Sequence, residues 1–247
     1  DNVGLKIRLK LEPALTKVKA GTYELLPTMS ALDLLTLFSS GKEQQFSISL
    51  VEGLNWKEWL SLIESHPQIH VSDDFHLQLE AFSASLPHQS IEGYLLPDTY
   101  NFVAQTNAMS LVKRAHQSMQ QYLQQAWQNR ALDLPYNSAY EGLIMASIIE
   151  KETGVAAERP RISGVFVNRL NVNMRLQTDP TVIYGMGDAF DGNIRRKDLK
   201  TPTAYNTYVI KGLPPTPIAM ASKAAIDAAF HPIATDELDF VSKGDGS

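Results

Sequence analysis

The residues best suited to chemistry lie in one stretch, Ser138 to Thr153. Ser138 precedes Glu141 by three, a helix-capping spacing. Gly142-Leu143-Ile144-Met145-Ala146-Ser147-Ile148-Ile149 follows, apolar on nearly every side, so it reads as a buried helix. It then meets Glu150-Lys151-Glu152-Thr153, with Gly154 placed to end it. At about 100° per residue, Glu150 falls within about 20° of Leu143, beside the small Ala146 and Ser147, which leaves room for a cleft. Glu152 lies about 200° further round and can reach solvent; Glu141, about 180° away, cannot pair with Glu150. An apolar stripe and the negative end of the helix dipole should both raise the proton affinity of Glu150, as general acid catalysis requires. The competing reading is a last-turn Glu that is solvated or paired with a nearby Arg.

Other groups could hold a substrate. Asp179 before Pro180 reads first as a helix N-cap and second as another catalytic carboxylate. Thr201-Pro202-Thr203-Ala204-Tyr205-Asn206-Thr207-Tyr208 gathers hydroxyl, amide and aromatic groups, which can bind sugars but also make ordinary turns. Leu213 to Ile218, rich in Pro, should form a stiff wall. The six His residues show no metal-ligand spacing, and no phosphate-binding glycine motif or nucleophile elbow occurs.

These groups need positioning elements. Residues 5–11 alternate apolar and basic, which favours a strand, although Val3, Ile7 and Leu11 also allow a helix. Residues 18–26 read as a strand closed by Pro27. Helices are expected after Ser30 and after Asn55, the second with Trp56, Trp59, Leu60 and Ile63 as its stripe, and a strand at Phe46-Ile48-Leu50. Residues 67–97 are mixed. Long helices follow at 108–130 and 159–170, and a last one at 221–230. The class is therefore α+β, a small unit over 1–65 followed by a mainly helical domain with short strands over 66–247.

With 247 residues and 44% hydrophobic content there is enough material for a core. A net charge of −5 disfavours non-specific nucleic-acid binding, and zero Cys excludes disulfides, thiolate metal sites and a Cys nucleophile. No apolar run is long enough to span a membrane.

Several blocks together resemble a known family: Ala146 to Thr153, Val165 to Leu170, Met174 to Gly185, Thr201 to Tyr208, Gly212 to Pro215 and, upstream, Lys19 to Tyr23, Val51 to Gly53 and Glu92 to Tyr100. They are similar to the YceG-like family of bacterial endolytic murein transglycosylases. The resemblance implies a LysM-like subdomain at 1–65, a catalytic domain from 66 and residues 1–11 as the remnant of a helix. It also implies a membrane anchor ahead of Asp1, a periplasmic body at the inner membrane, and a further C-terminal segment beyond Gly246. The expected activity cuts the β-1,4 bond between N-acetylmuramic acid and N-acetylglucosamine and leaves a 1,6-anhydro end. Glu150 would be the sole acid/base, Gln177, Tyr184, Thr203, Tyr205 and Asn206 the candidate sugar contacts, with no metal and no cofactor. Glycan strands are the expected partner, with peptidoglycan synthases as further ones. Two alternatives stand beside it. One is a non-catalytic peptidoglycan-binding module. The other is aminodeoxychorismate lyase chemistry, which would need a pyridoxal phosphate lysine and a phosphate cradle, neither of which is identifiable.

Overall fold

The computed structural model describes residues 2–239. The chain opens with helix α1 (Asn2–Leu11) and a 3-10 turn, then α2 (Ala31–Ser40), strand β1 (Gln45–Leu50) and α3 (Trp56–Ser65). Strand β2 (Ile69–His70), α4 (Phe75–Ser85), β3 (Asp98–Val103) and β4 (Thr106–Asn107) follow. The remaining α-helices are α5 (Ala108–Gln128), α6 (Ala139–Glu152), α7 (Arg159–Asn171), α8 (Asp179–Met186) and α9 (Lys223–Phe230), with a long, mostly irregular stretch between the last two. The α+β class holds, with few and short strands.

Local chemistry explains most boundaries. Ser30 and Asn55 each form a reciprocal capping box, with Asp33 and Glu58 respectively, and Gly41 ends α2 in the left-handed region. Residues 5–11 are helical. Leu5 and Leu9, four apart, are half-buried while Ile7 and Leu11 are exposed, so the alternation was misleading. Residues 18–26 do not form a strand. Lys19 N–H donates to the Phe38 carbonyl of α2, and the Thr22 carbonyl accepts from Gln44 N–H. With a helix end and a turn as partners, this stretch stays extended without a sheet. The mixed stretch 67–97 contains α4, whose Phe75 and Leu79 are buried.

Of two small sheets, one ties the halves together. Strands β1 and β3 are antiparallel, with Phe46 opposite Phe102 and Ile48 opposite Tyr100, so the pairing spans the expected boundary at 65/66. Strands β2 and β4 run parallel. Trp59 and Ile63 of α3 enter the same apolar core as Leu111 and Met119 of α5, Leu143 and Ile148 of α6, and Phe230 of α9.

Helices α6 and α9 pack in close contact. A Cβ on Gly142 would lie 2.3 Å from Cε1 and Cζ of the Phe230 ring. Gly142→Ala is therefore expected to lower stability by about 1–3 kcal/mol through overpacking, read as a lower thermal midpoint.

Candidate active site

The face of α6 that carries Ser147 and Glu150 is buried. The segment Ile218 to Ser222 packs against Ser147 and Glu150. Ile218 N–H donates to Ser147 Oγ (3.0 Å), and Ala219, Met220 and Ala221 are fully buried. One turn on, Glu150 accepts from Ser222 N–H (2.9 Å) and from the Ser222 hydroxyl through Oε2, and from Arg159 Nη2 (2.9 Å) through Oε1. Glu150 is only 8% exposed. The structure thus realises the Arg-paired reading of this residue. Its carboxylate joins the start of α7 to Ser222, the N-cap of α9.

Glu152 lies elsewhere. It is the last residue of α6, which ends there with extended Thr153, ahead of Gly154. It is half-buried rather than solvated, and Thr178 Oγ1 donates to its Oε2 at 2.7 Å. Burial raises its proton affinity above the ordinary glutamate value. The Thr178 bond opposes that shift, nearby Asp179 adds to it, and Arg169 opposes it.

Around Glu152 the ends of α6 and α8 meet the loop 201–208. Thr178 is the N-cap of α8, so Asp179 is the first helical residue instead of the cap, and its Oδ1 accepts from Tyr208 Oη at 2.7 Å. Thr178 N–H donates to Thr207 Oγ1. Arg169 of α7 donates to the carbonyls of Arg175 and Leu176 and pairs with Asp239, which holds the approach to Thr178.

The five expected sugar contacts separate. Gln177 is exposed, beside Thr178, with φ at 52°, and its side chain accepts from Arg169. Tyr184 and Tyr205 come together, ring centroids 4.9 Å apart. Tyr205 Oη bonds Thr216 Oγ1 at 2.8 Å. Thr203 Oγ1 accepts from the backbone N–H of Tyr205 and Asn206. Asn206 is buried and its amide is fully used, donating to the Asp198 and Thr201 carbonyls and accepting from Tyr208 N–H, so it shapes the loop.

A second carboxylate also emerges. Glu92 is 5% exposed and accepts from Trp56 N–H (3.1 Å) and Tyr184 Oη (3.1 Å). Burial, less these hydrogen bonds, pushes its carboxyl up to about 7, with Glu58 adding to the rise. Gly93 fixes the turn beneath it: its φ is +76°, and a Cβ there would sit 2.4 Å from Pro217. Sequence reasoning met Glu92 only within a family block. The signal that could have singled it out is Glu followed by an obligatory Gly.

Glu92 makes a signed prediction. An unfolded glutamate ionises near 4.5, whereas this one holds its proton to about 7. Between those limits the unfolded chain has released the proton and the folded chain retains it, so stability falls as pH rises. The loss is on the order of 3 kcal/mol across that window. Thermal midpoints from pH 4 to 8 should show a decline that Glu92→Gln flattens.

Among the described residues no group of three or more His, Asp or Glu could hold a metal ion. No helix among them is long and apolar enough to cross a membrane.

A helix ending in a carboxylate of raised proton affinity, faced by a hydroxyl- and tyrosine-rich loop, defines an α+β protein with a built polar site. The sequence matches the YceG-like family over residues 2–247, and the chain belongs to that family. It is 37% identical over 172 residues to an endolytic murein transglycosylase of Bacillus subtilis, covering 68% of this chain and 46% of that protein. It is 29% identical over 261 aligned positions to one from Streptococcus pneumoniae, covering 92% and 47%. The chain thus spans about half the length of these relatives. The crystal structure of a YceG-like protein from Listeria monocytogenes superposes with a TM-score of 0.64 at 27% identity, covering 98% of this chain and 85% of that one.

Proposed function

We propose that this chain carries the bond-cleaving site of an endolytic murein transglycosylase and that Glu152 is its acid/base. The observation that carries the assignment is the half-buried Glu152 carboxylate, raised in proton affinity, with one hydroxyl donor and the loop 201–208 before it. The helical wheel pointed to Glu150, but that carboxylate is committed to Arg159 and Ser222. The bond cut is the β-1,4 link from N-acetylmuramic acid to N-acetylglucosamine. Protonated Glu152 gives its proton to the bridging oxygen and the C1–O bond breaks. The carboxylate so formed takes the proton from the 6-hydroxyl of the same muramic ring, whose oxygen closes on C1. The proton returns to Glu152 and no water is consumed.

One carboxylate suffices for this sequence, whereas hydrolysis needs a second to act as nucleophile or to activate water. The neighbouring Asp179 is occupied by Tyr208 Oη. Gln177, exposed beside Thr178, and Tyr208, near enough to Glu152 to sense its charge, are the sugar contacts assigned here. A LysM-like role for residues 1–65, a membrane anchor ahead of Asp1 that places the body in the periplasm, and work beside peptidoglycan synthases belong to the same proposal.

The test is digestion of uncrosslinked glycan strands, read by mass spectrometry. Anhydro-ended fragments are expected. Reducing ends would replace the lytic reading by hydrolysis, and strand binding without cleavage would replace it by a binding module.

A further inference from the structure

Alongside α8 lies a cavity of about 610 Å³, bordered by Trp56, Ser90, Glu92, Lys151, Tyr184 and Phe190. Its volume is in the range of sites that take ligands of disaccharide size. It adjoins the proposed reaction centre through the chain: Lys151 precedes Glu152, and Pro180, also in the wall, follows Asp179.

The wall chemistry selects a ligand class. Trp56, Tyr184 and Phe190 are half-buried and offer ring faces. The charged groups do not make an anion site. Lys57 at the rim is spent on Asp188 (2.7 Å), Lys151 Nζ donates to the Gly53 carbonyl (3.0 Å), and Glu58 and Glu92 are acidic. Ser90 and the hydrogen-bonded Glu92 and Tyr184 add polar groups to the wall. On the wall of a neighbouring cavity, the Tyr140 hydroxyl lies close enough to Glu92 to feel its charge. It is buried with no hydrogen-bond partner among the described residues. The cavity wall thus combines aromatic rings with the hydrogen-bonded pair of Glu92 and Tyr184.

We infer that this cavity is a saccharide subsite for a neutral N-acetylhexosamine unit, with Glu92 and Tyr184 as its specificity-determining groups. The ring stacks on the aromatic wall, and the acetamido and hydroxyl groups exchange hydrogen bonds with Glu92 and Tyr184. Near neutral pH Glu92 retains its proton for part of the time and can donate as well as accept. The choice of sugar rests on the murein reading above; the site itself rests on the cavity.

The test is isothermal titration calorimetry of the folded chain with triacetylchitotriose and with cellotriose, which lacks the acetamido groups. Saturable binding of triacetylchitotriose is expected, at least tenfold tighter than cellotriose. Glu92→Gln, which keeps an acceptor for Trp56 N–H, and Tyr184→Phe should each weaken it about tenfold. Phe190→Ala, outside the Glu92 network, should weaken it as well, which covers the case in which Glu92→Gln folds poorly. No saturable binding up to millimolar sugar would overturn the inference. So would equal affinity for cellotriose, or binding that Tyr184→Phe and Phe190→Ala leave unchanged. Cleavage does not enter the readout, so a protein that binds but does not cut counts against the proposed reaction and not against the subsite.

Discussion

Replacing Glu152 by Gln is expected to lower the rate of glycan-strand cleavage by about 10²–10⁴-fold while the protein stays folded. Gln keeps the shape and offers an oxygen to the Thr178 hydroxyl, so only proton transfer is removed. Glu150→Gln is the control. If Glu150 were the acid, it would show the larger loss of rate per folded molecule, and the assignment to Glu152 would fail. A second readout separates chemistry from structure. Thr178 Oγ1 stabilises the ionised form of Glu152. Thr178→Val removes that bond and should raise the proton affinity of the acid. Cleavage starts from the protonated group, so the falling limb of the pH–rate profile should move to higher pH. A purely structural Thr178 would lower the rate at every pH without moving the limb.

Arg159→Met should cost about 3–5 kcal/mol of stability, the usual penalty for leaving one member of a buried ion pair alone. The Arg159 and Glu150 side chains are 10% and 4% exposed, so water cannot replace the lost partner. Ser222 still gives Glu150 two hydrogen bonds, which places the cost inside that range instead of above it. Combining Arg159→Met with Glu150→Gln should recover part of the loss. The neutral amide removes the stranded charge and still accepts from Ser222. Urea unfolding of the single and double variants measures this coupling, and strict additivity would mean that the pair is not linked.

The elements whose signals are local could be read from sequence. Caps at Ser30, Asn55 and Ser138 and the stripes of α3 and α5 follow from side chains that act within a turn or two. The site was half-legible. The right helix end was found, and its two glutamates were separated by angle. Which of them meets solvent depended on the chain 70 residues on, where Ile218 to Ser222 packs into the room beside Ala146 and Ser147. A helical wheel contains no such neighbour. Residues 18–26 show the same limit: their composition suits a strand, but a strand needs another strand beside it. Glu92 was not legible from periodicity because its properties arise from Trp56 and Tyr184, which come from distant elements.

The β1–β3 pairing bears on how this chain emerges from the ribosome. Ser49 and Thr99 face each other across that ladder, 50 residues apart in sequence. The first unit cannot complete its fold until the chain through Val103 is available, so synthesis must wait past α4 before β1 is covered. A gene fragment starting after residue 65 would leave Tyr100 and Phe102 on a bare edge, inviting association with other copies. The N-terminal unit is thus not a detachable cassette. Exchange between homologous proteins would have to carry both strands together.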